Sequence, residues 1–293
     1  MGVAPGDMGG THDLKLGVQY SGGGRDAILG VNDYIYIVGG KQSYGYTRLP
    51  YHSGGLIRNV GTYFDDTYRV GNVVTLNLGL RYDHSIAKYP SFPVLDASAN
   101  PTGTFSPGND DVYTWNVVSP RIGATWKVNK SGKTVVKGYY GLLYRGIFLN
   151  DFTAAIPSVA PKYYFDITAT GARTGFEVVS SNNNLTIDPG YKDPYSHEAI
   201  FQVEQEVANN LGLQVNYVYK RGYDYPGWTD IGGQYGPLSY VDNRGVEASG
   251  QTLQLSRLLT PFSRSVFQMT NVPGLYSRYN GVTITGTKRM SAS

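Results

Sequence analysis

Residues 72–84 read NVVTLNLGLRYDH. From Val74 the apolar side chains Val74, Leu76, Leu78, Leu80 and Tyr82 take every second position, and Thr75, Asn77, Gly79, Arg81 and Asp83 take those between. Side chains of a strand point alternately to its two faces, so this stretch is a strand with one apolar and one polar face. In a soluble sheet the apolar face lies on a core and the polar face in water. In a membrane barrel the apolar face meets lipid and the polar face lines a wet interior. One strand fits both, so the choice rests on the rest of the chain.

The 293 residues include 26 Tyr and 38 Gly but only 16% charged residues. Tyrosine suits strands and equally suits a membrane interface, where the ring sits in an apolar zone and the hydroxyl in a polar one. The absence of cysteine removes disulfides and thiolate metal sites without fixing a compartment. A formal charge of +3, with no basic run, gives no reason to expect a nucleic-acid partner. No apolar run is long enough for a transmembrane helix, and barrel strands do not need one. The opening MGVAPGDMGGTHDLK has neither the basic nor the apolar region of a secretory signal.

Period-two alternation recurs in about eight segments of roughly ten residues, the length of a tilted bilayer-crossing strand. They lie near 13–20, 56–66, 73–83, 119–128, 134–145, 196–207, 211–221 and 279–288. RVGN at 69–72, NKSGK at 129–133 and ANN at 208–210 read as tight turns. Between them fall long segments near 22–55, 85–116, 146–195 and 222–278, rich in Pro, Gly, Asn and Tyr. Long loops at every second connection are unusual in a sandwich. In an outer-membrane barrel they are the rule, with short periplasmic turns and long extracellular loops.

Charges follow the same parity. Asp13, Lys15, Arg81, Asp83, Arg121, Lys127, Lys137, Glu198, Glu204 and Lys220 occupy the polar positions. The opposite parity carries Leu14, Leu16, Val18, Leu76, Leu78, Ile122, Trp126, Val136, Phe201, Val203, Leu213 and Val215. Arg58 and Lys288 break the pattern near strand ends, and the expectation is that mid-strand the apolar face holds no charge. In a barrel, Arg81, Asp83, Arg121, Lys137, Glu198 and Glu204 would face the lumen, and Leu76, Leu78, Leu80, Trp126 and Val215 would face lipid. Tyr20, Tyr82, Tyr144, Tyr217 and Tyr219 toward one end, with Tyr68 and Trp126 toward the other, would form two aromatic belts. A soluble sheet with one wet face would show the same parity.

Four blocks keep order and spacing: YFDDTYRVGNVVTLNLGLRYDH at 63–84, SPRIGATWKVNKSGKTVVKGYYGLLYRG at 119–146, DPGYKDPYSHEAIFQVEQEVANNLGLQVNYVYKRGYD at 188–224 and YNGVTITGTKRMS at 279–291. In that order they resemble the β-barrel portion of TonB-dependent outer-membrane receptors, within them the Oar-like group with a carboxypeptidase-regulatory-like domain before the plug. That family usually shows Gln-Asp-Asp-Trp before the first short turn, where this chain has Asp65, Asp66, Thr67 and Tyr68. The resemblance implies an all-β, antiparallel meander of about eight strands that is an internal part of a barrel of roughly 22 strands with long extracellular loops. On this reading residues 1–293 are a partial receptor barrel. The signal peptide, the plug, the TonB-contacting segment and the C-terminal closing strand lie outside it.

Other motifs carry less. SGKT at 131–134 lacks the first glycine of a phosphate-binding loop, that position being Lys127, and it joins two strands. His12, His52, His84 and His197 are too scattered to suggest a metal site or a base. Asp65 and Asp66 are adjacent on a strand and point apart, while Asp110 and Asp111 sit in a turn-rich segment. The chain therefore reads as non-enzymatic, with no metal or cofactor. The expected function is that of an outer-membrane transporter importing a scarce, bulky nutrient, in contact with lipid and, through the missing N-terminal part, with the TonB complex. The alternatives are a complete eight-stranded outer-membrane barrel acting as adhesin or structural protein, and a soluble β-rich carbohydrate-binding domain. The nutrient's class stays open, because fold does not choose it.

Overall fold

The alternation around Leu76 to Leu80 becomes one of eight long strands that form a single antiparallel sheet in the computed structural model. The structure describes residues 10–30, 33–180, 184–241 and 252–289. The long strands are β1 (Gly10–Leu29), β2 (Tyr51–Val70), β3 (Val74–Tyr89), β4 (Asn109–Lys127), β5 (Thr134–Tyr144), β6 (Tyr195–Ala208), β7 (Leu211–Tyr223) and β8 (Ser277–Lys288). They pair strictly in sequence order, as one meander. The sheet runs from β1 to β8 and does not close on itself, so the eight strands are not a complete small barrel.

The tight turns form where expected. Gly71, Gly132 and Asn210 adopt φ of +54°, +69° and +61°, the left-handed region that glycine and asparagine tolerate best. In the 129–133 turn Asn129 Oδ1 accepts from Lys133 N at 3.0 Å and from Ser131 Oγ at 3.0 Å. The SGKT stretch is therefore held as a hairpin turn by its own asparagine and presents no phosphate cradle.

The strands outrun their expected limits. β1 and β2 each have 20 residues and β4 has 19, whereas a tilted strand crosses a bilayer in about ten. The surplus lies at the long-connection end, so the sheet rises as a wall well beyond one bilayer thickness. The long connections are correspondingly shorter than their sequence suggested, and they contain strands of their own. Lys41–Arg48 of the first connection pairs with both Tyr34–Val38 and Lys162–Ile167 of the third, which in turn pairs with Arg173–Ser180. Leu185–Ile187 of the third connection pairs in parallel with Phe267–Asn271 of the fourth, whose other neighbour is Pro226–Asp230. Phe92–Leu95 with Pro101–Ser106, and Tyr235–Val241 with Thr252–Leu258, complete the set. Backbone pairing thus knits the first, third and fourth connections into one cap.

Candidate functional site

Register assigns every strand residue to one of two faces. Arg81 lies opposite Tyr63 and Ser119, Asp83 opposite Gly61 and Val117, and Arg121 opposite Gly79 and Gly141. Lys137 lies opposite Thr125 and Gln202, Glu198 opposite Gly141 and Lys220, and Glu204 opposite Val135 and Gln214. All six candidate lumen residues therefore share one face of the sheet. Leu76 pairs with Tyr68 and Ala124, Leu78 with Ile122, Leu80 with Phe64, and Trp126 with Val74 and Val136, all on the other face, as is Val215 beside Val203 and Ile284. Leu78, Leu80, Trp126 and Val215 are exposed there without a second layer over them.

The polar face is a network of paired charges. Arg81 grips Asp83 with two hydrogen bonds, Nε to Oδ2 at 2.7 Å and Nη2 to Oδ1 at 2.6 Å, and donates through Nη1 to Gln19 Oε1 at 3.1 Å. A Cβ on Gly61 would stand 2.2 Å from Arg81 Nη2, so the glycine makes the room in which this pair lies. Lys137 Nζ reaches Glu204 at 2.7 Å, and Lys220 Nζ reaches Glu198 at 2.9 Å. Arg121 makes no ion pair among the described residues. It lines a hollow of about 510 Å³ with Asp13, Lys15, Asp65, Asn77 and Lys137.

The apolar face has an edge that the sequence could not display. At its long-connection margin Tyr82 Oη donates to Asn116 Oδ1 at 2.7 Å, and Tyr217 Oη donates to Asn280 Oδ1 at 2.9 Å. Tyr140 Oη lies 2.6 Å from His197 Nδ1, while His84 Nδ1 shares Asn116 Oδ1 at 2.8 Å. The tyrosine hydroxyls end the apolar band on polar partners from the next strand, the arrangement that an interfacial belt requires. One expectation fails: Asp66 stands on the apolar face, opposite Leu14 and Leu78. It sits near the short-turn end, bonded to His12 Nδ1 at 2.7 Å, with His12 stacked on Tyr68 at 4.3 Å. Proximity to the margin and a histidine partner make that charge affordable.

Over the upper end of the polar face the third connection folds inward. Ala87, Tyr113 and Trp115 share the parity of Arg121, and upon them pack Phe152, Ile156, Val159 and Tyr191. Trp115 Nε1 donates to the carbonyl of Tyr191 at 2.8 Å. Arg145 bonds Asp151 and donates to Tyr191 Oη at 3.2 Å, while Gly146 N donates to Asp193 Oδ1 at 3.0 Å. This inward core was missed from sequence. Its signal was two aromatic residues, Tyr113 and Trp115, on the parity otherwise given to charges.

Asp193 is buried, and its carboxyl is pushed up to about 7, first by that burial and further by the nearby Asp151. Gly146 N–H and the charge of Arg145 pull the other way without offsetting it. A carboxyl raised in the folded state contributes stability that is fully present below its unfolded pKa of about 3.9 and is lost as pH rises through the folded value. Protection of residues 146–160 from hydrogen exchange, corrected for intrinsic rates, is therefore expected to fall between about pH 4 and pH 7. Asp193→Asn should flatten that dependence; an unchanged profile in the variant would assign it elsewhere.

The outer membrane beta barrel domain family matches residues 10–293. No curated protein matches the chain. Among solved structures, the hemophore receptor HasR of Serratia marcescens, in complex with its hemophore HasA and heme, is 13% identical with a TM-score of 0.44, over 92% of this chain and 39% of that one. The ferric-catecholate import receptor Fiu of E. coli K12 is 15% identical with a TM-score of 0.45, over 88% and 38%. The FrpB iron transporter of Neisseria meningitidis is 11% identical with a TM-score of 0.43, over 95% and 35%. The chain thus spans well under half the length of these proteins.

Proposed function

The chain belongs to the outer membrane beta barrel domain family and resides in the outer membrane of a Gram-negative-type cell, and we propose that it forms part of the wall of a TonB-dependent transporter that captures and imports a bulky nutrient. The observation that carries this reading is the division of labour between the two faces. One is apolar and rimmed by hydrogen-bonded tyrosines, as a lipid face would be. The other holds paired charges and a hollow, and a structured connection bends over its end, as at the mouth of a lumen. Arg81, Asp83, Arg121, Lys137, Glu198 and Glu204 then line the interior, and Leu76, Leu78, Leu80, Trp126 and Val215 meet lipid.

The open edges fit a wider barrel. The backbone donors and acceptors on the outer edges of β1 and β8 need strand partners, because lipid offers none. Further strands of the same protein would supply them, and a plug would couple the wall to TonB. The soluble carbohydrate-binding alternative is set aside by the family membership.

Orientation tests the proposal directly. The chain has no cysteine, so single cysteines report cleanly. Gln42→Cys, in the first long connection, is expected to react with a membrane-impermeant maleimide on intact cells, and Asn72→Cys, in the first tight turn, only after permeabilisation. The reverse pattern, or equal labelling of both, would overturn the assignment.

A further inference from the structure

The apolar face of the last two strands ends in arginine. Arg221, near the long-connection end of β7, lies directly opposite Arg278 of β8. Both share the parity of Val215, Tyr217, Val282 and Ile284, and they stand beyond the level at which Tyr217 Oη meets Asn280. Side chains directly opposite across an antiparallel pair have their Cβ atoms about 5 Å apart, and like charges so placed repel. Among the described residues neither arginine makes an ion pair.

Aromatic rings hold one of the two in place. The Cζ of Arg221 lies 5.0 Å from the ring centroid of Tyr223 and 5.3 Å from that of Tyr276. With its flanks covered, its Nε is buried without a hydrogen-bond partner, which leaves the Nη groups to an incoming acceptor. Arg278 is exposed beside it. The surrounding groups supply no counter-charge. His197, opposite Arg221 on β6, is engaged by Tyr140 at 2.6 Å. Glu198 and Lys220 point to the polar face and pair with each other at 2.9 Å. Asp224, one residue past β7, directs its charge at Tyr144 of β5 and Tyr195 of β6.

We propose that β7 and β8 hold a phosphorylated lipid of the outer leaflet, its phosphate bridging Arg221 and Arg278 and its acyl chains lying along Val215, Tyr217, Val282 and Ile284. A phosphate offers several acceptor oxygens, so it takes donors from both guanidiniums and offsets their repulsion. Below the arginines Val215 pairs with Ile284 and Tyr217 with Val282, so cations and apolar strip run down the same two strands without a break. Val282 and Ile284 are 66% and 67% exposed. A free anion would use the arginines and leave that strip bare, whereas a lipid covers both. The proposal rests on the reading above, in which this face meets lipid and the long connections lie outside the cell.

The test uses the full receptor, purified in detergent, with bisphosphorylated lipid A, the same lipid stripped of phosphate, and inorganic phosphate as probes. Saturable binding of lipid A is expected, about tenfold or more weaker for the stripped lipid. Arg278→Gln, at an exposed position, should weaken lipid A by about tenfold and leave the stripped lipid unchanged. Arg221→Gln should do the same, with gel mobility checking that the barrel has folded without the cation between its two rings. Lys130→Gln, the same loss of charge in the 129–133 turn, should change neither lipid. Equal binding of the two lipids, or wild-type affinity for lipid A in folded Arg278→Gln, would overturn the proposal. Inorganic phosphate displacing lipid A at equal concentration would overturn it too, in favour of a free-anion site. The Gln42→Cys labelling separates the two readings. Without surface labelling the functional assignment itself falls, whereas surface labelling with equal binding of the two lipids overturns the lipid site alone.

Discussion

Leu80→Arg is expected to abolish assembly of the protein in the outer membrane, while Asn77→Arg on the other face of the same strand is expected to leave it intact. Leu80 lies in a row with Leu16, Phe64 and Pro120 and is 51% exposed. An arginine at an exposed position in water costs almost nothing, within about 0.5 kcal/mol. Facing the middle of a bilayer it costs about 2–4 kcal/mol. The same substitution thus has opposite outcomes in the two solvents that the alternation of residues 72–84 left open. Asn77, one face over, looks toward the charge network and gains only another solvated cation. Outer-membrane yield and heat-modifiable mobility on a gel report the result. Wild-type amounts of folded Leu80→Arg would mean that this face does not meet lipid.

The eight long strands were legible because a period of two survives in a single sequence, and the turns because Gly71, Gly132 and Asn129 with Asn210 carry their own conformational reasons. What the sequence hid depends on neighbours. His84 and His197 looked scattered, yet one shares Asn116 with Tyr82 and the other partners Tyr140, pairings made only by register between strands. Alternation points Asp66 away from Asp65 but cannot name its partner, which is His12, 54 residues away. The cap was hidden more deeply. YIYIV and KYYFDI alternate like strands but are short and sit among Pro, Gly and Tyr. Only pairing between the first and third connections gives them a sheet. The cluster of Tyr36, Tyr44, Tyr46 and Tyr164 rings on that sheet is a product of the distant pairing, so no scan of one segment could have drawn it.

Phe152→Ala is expected to release the third connection from the sheet while leaving the strands in place. Phe152 is fully buried, and a Cβ on Gly55 would stand 2.6 Å from its ring, so the ring lies directly on the backbone of β2. It also meets Tyr113 edge-on at 6.1 Å and belongs to the cluster with Trp115, Ile156 and Val159. Truncating a buried phenylalanine costs about 3–5 kcal/mol. That is comparable to the whole stability of a segment held by one small cluster, and opening of such segments is local rather than global. The neighbouring Asp151, buried and bonded to Arg145, would then gain water, which removes any electrostatic reason to close again. Gel mobility should therefore stay that of the folded barrel, unlike Leu80→Arg, while residues 146–160 lose exchange protection. Retained protection would show that the strand pairing of Lys162–Ile167 with Lys41–Arg48 anchors the connection without Phe152. Loss of the folded barrel itself would show that the cap is part of the wall's own folding unit, because the substitution touches no residue on the exposed apolar face.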